Sequence, residues 1–304
     1  MSTSTVERIR LGASDLRVSP IGVGTNSWGS GGKPDPAMKQ VFEAALAAGI
    51  NFFDTAEIYS MGGSERTLRL FLEPAPENAV VATKFMPMPW RLRKFSLTDA
   101  LKASLERLRL HQVDLYMTHF PFPPVAIETC MDALADAVQF GLTRAAGVSN
   151  YDIEQMRRAY AALAKRGVPL ASNQMEYSLL KRDPERGGLP AACRELGVTL
   201  VAYRPLTSGL LSGKYTPENP PPGARGVLYN RTYLQKISPL LNLLRKIAQR
   251  RGKTPSQVAL NWLICKGALP IPGAKSARQA QENAGALGWR LDEGEVAELD
   301  KASG

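Results

Sequence analysis

Cysteine and histidine are scarce in this chain, and their scarcity excludes a good deal. Three cysteines, Cys130, Cys193 and Cys265, lie far apart. An odd, scattered set suits reduced thiols in a cytoplasm rather than a disulfide framework. They share no metal-ligand spacing with one another or with the two histidines, His111 and His119, so no metal site is expected. No apolar run approaches the roughly 18 residues of a membrane span, so no membrane contact is expected. The opening MSTSTVERIR also lacks the apolar core of a secretory signal. A cytoplasmic protein is the expectation. No Gly-x-Gly-x-x-Gly follows a candidate strand. The nearest approach to a phosphate-binding P-loop, Gly209–Tyr215, lacks one spacer residue and has Tyr215 where Ser or Thr is needed.

What is present is apolar material and positive charge. A chain of 304 residues, 44% of them hydrophobic, can bury a large core. The net charge of +10 is spread along the sequence, and its densest cluster, Arg91–Lys94, is short and without a nucleic-acid motif around it. No nucleic-acid partner is expected. A basic surface that attracts a small polyanion is the better account.

Short apolar runs recur, each followed by a stretch able to form a helix. Arg8–Leu11 and Leu16–Val18 flank a turn and read as a hairpin. Eight candidate strands follow: Pro20–Gly24, Asn51–Asp54, Ala79–Thr83, Val113–Met117, Thr143–Val148, Leu170–Gln174, Thr199–Tyr203 and Ala268–Ile271. They begin about thirty residues apart, the length of one strand–helix–strand unit, except that the last interval is twice as long. Amphipathic spacing predicts helices over Met38–Ala48, Ser96–Leu110, Ile127–Phe140, Ile153–Arg166 and Pro255–Lys266. Gly49, Gly141, Gly167, Gly197 and Gly267 stand where such helices stop. The pattern predicts a single α/β domain over residues 1–304, a (β/α)8 barrel with an N-terminal β-hairpin. An open doubly wound sheet is the competing fold. The stretch SGKYTPENPPPGARG (Ser212–Gly226) marks a long loop insertion between the last two strands, of the kind that becomes a lid or clamp.

In a parallel barrel, chemistry sits at the C-terminal ends of the strands. The second strand ends in Asp54, with Tyr59 soon after; the third ends in Lys84 and the fourth in His119. Asp54-Thr-Ala-Glu57 also has the pattern of a helix capping box. Together the four residues suit hydride reduction of a carbonyl, which needs a proton donor at the oxygen. A phenol, with an ordinary pKa near 10, is a poor acid at neutral pH without a cation beside it. Lys84 is expected to lower the Tyr59 pKa, Asp54 to hold that lysine charged, and His119 to donate to the same oxygen.

At this point the chain resembles the aldo-keto reductases nearly end to end. FDTAEIY, the lysine of ATK and the histidine of DLYMTH are similar to that family's Asp-Tyr-Lys-His tetrad. GVSN (Gly147–Asn150), NQMEY (Asn173–Tyr177) and AYRPL (Ala202–Leu206) resemble its nicotinamide-holding segments, and Ile271–Asn283 its adenosine-phosphate segment. The resemblance implies NADPH lying extended across the barrel mouth and a small-molecule aldehyde or ketone as substrate. Ser149, Asn150 and Gln174 would bond the carboxamide while Tyr203 stacks on the ring. Thr25, Asn26, Asp54, Arg204, Pro205 and Gly273 would also touch the cofactor, and Leu206, Lys214 and Arg225 would cover the pyrophosphate.

Lys275, Ser276 and Arg278, opening the last expected helix, would meet a ribose 2′-phosphate. Either cation is a candidate for the main contact. Gln279, Glu282 and Asn283 would face the adenine. Trp28, Tyr59, Trp90, His119 and Phe120, with Met61, Met86 and Phe122 nearby, would line a partly aromatic substrate pocket. Two positions depart from the family pattern. Arg204 stands where serine is common, either tightening the cofactor or selecting an acidic substrate. After His119 the chain runs FPFPPVA, where relatives often carry an acid after the proline. The alternative function is a cofactor-sensing regulatory subunit resembling the potassium-channel β subunits, against which the complete tetrad speaks. A monomer is expected.

Overall fold

The computed structural model describes residues 6–72, 78–91, 93, 95–121 and 125–303. Strands β1 (Ile9–Arg10) and β2 (Arg17–Val18) form the expected antiparallel hairpin. The sheet that follows comprises β3 (Gly22–Gly24), β4 (Phe52–Asp54), β5 (Val80–Phe85), β6 (Val113–Thr118), β7 (Thr143–Ser149), β8 (Leu170–Glu176), β9 (Thr199–Tyr203) and β10 (Ala268–Ile271). All eight strands run parallel and neighbour one another in chain order. The seam between first and last is drawn together by a parallel bridge from Gly24 to Gly273 and by the Gly24 amide donating to Pro272 O at 3.1 Å. A Cβ on Gly24 would stand 2.9 Å from the Ile271 carbonyl oxygen, so only glycine lets the seam close this tightly. The result is a (β/α)8 barrel rather than an open doubly wound sheet.

Alternation along the strands sorts the core into two layers. Phe52, Val80, Ala82, Leu115, Met117, Ala145, Val201, Leu269 and Ile271 fill the barrel, and Leu11, Leu16 and Val18 of the hairpin pack beneath them. The Gly12 amide donates to Thr199 Oγ1, at the start of β9, across 2.7 Å. The hairpin therefore plugs the N-terminal end of the barrel and leaves the other end to chemistry. A larger apolar shell lies between the strands and the surrounding helices.

Helices Lys39–Ala47, Phe95–Leu108, Ile127–Gln139, Ile153–Ala164 and Pro255–Cys265 lie within two residues of the expected bounds. Gly49, Gly141, Gly167 and Gly267 beyond four of them, and Gly197 beyond the helix Leu189–Leu196, all have positive φ, as expected of helix stops. The insertion after β9 differs from expectation. Besides the Pro/Gly loop it holds a 21-residue helix, Arg231–Arg251, that buries Leu234, Ile237, Leu240, Leu241, Leu244 and Ile247 along one stripe. Pro239 stands inside that helix, and the Ser238 hydroxyl donates to the Leu234 carbonyl at 2.7 Å. No helix among the described residues is long and apolar enough to cross a membrane.

Candidate active site

Four strand ends and the loops beyond them meet at the open mouth. Asp54 closes β4 and caps no helix, which settles the capping alternative: its carboxylate points into the barrel. There Oδ2 accepts from Lys84 Nζ at 2.7 Å and Oδ1 accepts from Gln174 Nε2 at 2.8 Å. Lys84 lies inside β5 and is fully buried. Its ammonium has three partners: Asp54, the Thr55 carbonyl at 2.8 Å and the Tyr59 hydroxyl at 3.2 Å. A buried lysine needs such a set, because an unpaired charge in this position would cost several kcal/mol. Burial pulls the ammonium's pKa down, but the carboxylate and the phenol outweigh it and leave the pKa raised.

The phenol behaves differently from expectation. Burial pushes the Tyr59 pKa up, Lys84 pulls it down and Asp54 pushes it up again, with a net rise. Lys84 limits the shift without reversing it, since desolvating a phenolate this deep outweighs one neighbouring cation already shared with a carboxylate. Tyr59 sits in a short turn, Tyr59–Gly62, where Ser60 and Met61 have left-handed backbone. The His119 ring lies edge-on to the Tyr59 ring with centroids 5.8 Å apart, and Phe120 stacks on its other side at 5.0 Å. Burial first, then Lys84, lowers the imidazole pKa to about 3. His119 is therefore neutral at physiological pH. Its Nδ1 is buried with no hydrogen-bond partner among the described residues.

Next to the tetrad, residues of β7, β8 and β9 bond one another. The Tyr203 hydroxyl donates to Asn150 Oδ1 at 3.0 Å, and Asn150 Nδ2 donates to the His119 carbonyl at 2.9 Å and to Ser149 Oγ at 3.1 Å. Ser149 Oγ in turn donates to the Gln174 carbonyl at 3.0 Å. A hollow of about 710 Å3 opens beside Asn150 and Tyr203, walled by Ile153, Met175, Glu176 and Leu189. Across the mouth, Ser276 caps helix Ala277–Ala284, its Oγ accepting from the Gln279 amide. Lys275, Arg278 and Gln279 beside it are exposed, while Glu282 is half-buried and Asn283 buried. Asn26, Lys214, Arg225 and Gly273 are exposed on the rim, with Leu206 half-buried and Pro205 beneath the surface.

Trp28 and Thr25 are among the expected contact residues that lie below the surface. Trp28 is 0% exposed, its Nε1 donates to the Ala274 carbonyl at 2.9 Å and its ring meets Phe71 edge-on. It belongs to the outer core and offers no face to a substrate. Thr25 is likewise buried, its hydroxyl donating to the Asp54 carbonyl at 2.9 Å and sharing a hydrogen with Ser64 Oγ at 2.7 Å. It supports the strand end from behind. Both sit in a loop, where no periodicity announces which way a side chain turns. By contrast Met61 and Trp90 are 72% and 73% exposed, and Phe120 and Ile58 are partly so. Phe122 lies outside the described residues.

Other contributors escaped the sequence reading. Glu57 accepts from the Met86 amide at 2.6 Å and from Arg91 Nη1 at 2.5 Å, clasping the loops after β4 and β5. An acid and a cation on neighbouring loops are the signal for it, but their pairing follows only from the closed barrel. Of the seven described non-glycine residues with positive φ, six (Ser60, Met61, Asn150, Arg204, Thr207 and Ser208) lie at this mouth. Strain of that kind concentrates where a surface is held ready for a ligand.

A (β/α)8 barrel with a buried lysine joining a carboxylate to a phenol at its mouth has the makings of an enzyme site. The Aldo/keto reductase family profile matches residues 20–303, and the chain belongs to that family. It is an NAD(P)H-dependent oxidoreductase of the carbonyl-reducing kind. The chain is 40% identical to the chloroplastic pyridoxal reductase of Arabidopsis thaliana, the alignment covering 98% of this chain and 86% of that protein. A glycerol dehydrogenase from Gluconobacter oxydans superposes with a TM-score of 0.87 at 27% identity, over 98% of this chain and 95% of that one. An aldo/keto reductase from Klebsiella pneumoniae, solved with NADP and acetate, has a TM-score of 0.76 at 28% identity over 97% and 95%.

Proposed function

We propose that the protein reduces a small aldehyde or ketone to its alcohol with NADPH, using Tyr59 as the proton donor. One observation carries this reading: Lys84 Nζ stands within hydrogen-bond reach of both the Asp54 carboxylate and the Tyr59 hydroxyl. NADPH, when bound, supplies a hydride from nicotinamide C4 to the carbonyl carbon. Tyr59 gives its phenolic proton to the carbonyl oxygen, and its raised pKa keeps that proton in place until the oxygen needs it. As the proton leaves, Lys84 faces the developing phenolate, and Asp54 holds Lys84 in line. His119, neutral, donates an N–H to the same oxygen and orients the substrate. Solvent returns the proton to Tyr59 afterwards.

The residues at the mouth fit the cofactor. Ser149, Asn150 and Gln174 present amide and hydroxyl groups to a carboxamide, and Tyr203 presents a ring to a ring. Leu206, Lys214 and Arg225 suit the pyrophosphate, and Lys275, Ser276 and Arg278 a 2′-phosphate at a helix start. Gln279, Glu282 and Asn283, on the same helix, suit the adenine end. Exposed Met61, Trp90 and Phe120 suit an apolar or aromatic carbonyl compound, and the 40% identity to a pyridoxal reductase puts pyridoxal in the first substrate panel. The test compares Tyr59→Phe with wild type on aldehydes, ketones and pyridoxal, following NADPH absorbance. Loss of nearly all turnover with NADPH affinity kept is expected; undiminished turnover would sink the assignment.

A further inference from the structure

Arg204 is the cation at the mouth that this chemistry leaves without a task. It follows Tyr203 at the end of β9, in left-handed backbone with φ 51°, a conformation that is uncommon for a long side chain. Its guanidinium reaches three separate segments. Nη1 lies 3.1 Å from Glu176 Oε1 at the end of β8, and Nη2 donates to Ser208 Oγ at 3.3 Å and to the Tyr229 hydroxyl at 3.2 Å. Ser208 and Tyr229 bracket the Pro/Gly insertion that carries Lys214 and Arg225. Arg225 Nη1 also donates to the Ser208 carbonyl at 3.3 Å, and the Tyr229 ring packs on Tyr233 at 5.4 Å. One side chain therefore ties both ends of the insertion to the barrel rim. Its charge is answered by Glu176 before any ligand arrives, which argues against a free cation waiting for an acidic substrate.

We propose that Arg204 is a positioning residue that fastens residues 208–229 over the dinucleotide and so sets how quickly the cofactor leaves. The proposal rests on the NADPH reading above. Leu210, Leu211 and Tyr215 anchor the first part of the segment in the core, and the proline-rich stretch beyond them, with Glu218, Asn219, Pro220 and residues 222–225 exposed, crosses the surface before Tyr229 brings it back. Arg204 adds a tie at each end of that exposed stretch, through Ser208 and Tyr229. The competing role for Arg204 is direct contact with a cofactor phosphate, and the two roles differ in sign at Glu176. If Arg204 is a fastener, neutralising Glu176 loosens the segment and speeds release. If Arg204 grips phosphate, removing the competing carboxylate tightens binding and slows release.

The experiment loads the full-length protein with NADPH and displaces it with excess NADP+ in a stopped-flow fluorimeter, reading nicotinamide fluorescence. Arg204→Ser and Glu176→Gln are each expected to speed release about fivefold, Tyr229→Phe about twofold, with Arg204→Lys between wild type and serine. The double variant Arg204→Ser/Glu176→Gln should release no faster than Arg204→Ser alone, because both remove one interaction. Slower release from Glu176→Gln, or release unchanged in every variant, overturns the fastener. Wild-type protein that binds no NADPH in an equilibrium titration overturns the proposed function together with it.

Discussion

The two ends of this barrel are made from the same strands and are chemical opposites. At the N-terminal end, Leu11, Leu16 and Val18 of the hairpin close the interior with apolar side chains, all fully buried. At the other end the interior stops being apolar within one residue pair: Phe52 gives way to Asp54, Ala82 to Lys84 and Met117 to His119. Left-handed non-glycine backbone clusters at this end. The difference shows where folding free energy is made and where part of it is spent on a buried ion pair and a neutral imidazole. A barrel separates the two tasks by length along the strand, so the chemistry can be altered without touching what holds the fold.

The separation can be broken from either side. The largest effect is expected at the mouth: Tyr59→Phe lowers kcat about a thousandfold, while thermal unfolding followed by circular dichroism shifts Tm by no more than about 3 °C. A variant that lost stability in proportion to activity would show that the two ends are not independent. The counterpart at the plug is Leu16→Ala, which costs about 3 kcal/mol in urea unfolding and leaves kcat/KM with NADPH within about twofold of wild type. A large kinetic effect there would contradict the division of labour.

Smaller effects sharpen the picture of the mouth itself. Lys275→Ala combined with Arg278→Ala raises KM for NADPH about tenfold and leaves KM for NADH nearly unchanged; equal losses with both cofactors would remove the 2′-phosphate assignment. The smallest expected effect is an absence in the pH profile. His119 is neutral down to about 3, so no step in the reduction rate is expected near 6.5, the ordinary imidazole value. Tyr59 titrates above the ordinary phenol value. With Tyr59 as the proposed proton donor, reduction requires the protonated phenol, so activity is expected to hold below that pKa and to fall as pH rises through it. A step between pH 6 and 7 that vanishes in a His119 variant would show the imidazole charging in the working enzyme.

Much of the mouth was legible from the chain. Strand ends at Asp54, Lys84 and His119 followed from short apolar runs, and the barrel followed from their spacing. Helix stops at glycine were equally readable, because a left-handed terminal residue is a local requirement. The helix Arg231–Arg251 was not among the expected elements: its leucine and isoleucine stripe follows a Pro/Gly segment and is interrupted by Pro239. The burial of Trp28 and Thr25 was not legible, because their loop has no periodicity and their neighbours Phe71, Ala274 and Ser64 are remote in sequence.

Local order in the chain, then, determined eight strands, most of the helices between them and the candidate reactive groups at the strand ends, because strand and helix periods and turn residues act over a few positions. Tertiary structure alone decided which way those groups face and how they ionise. The register of β7 against β8 slips between Ala146 and Gly147, pairing Leu170 with the first and Ser172 with the second. Ala171 packs inside the barrel, and the extra residue also turns Gln174 inward to meet Asp54. Simple alternation from Ala171 would have sent Gln174 outward. The Tyr59 pKa likewise depends on every atom that excludes water from the phenol, and no short stretch of sequence contains that sum.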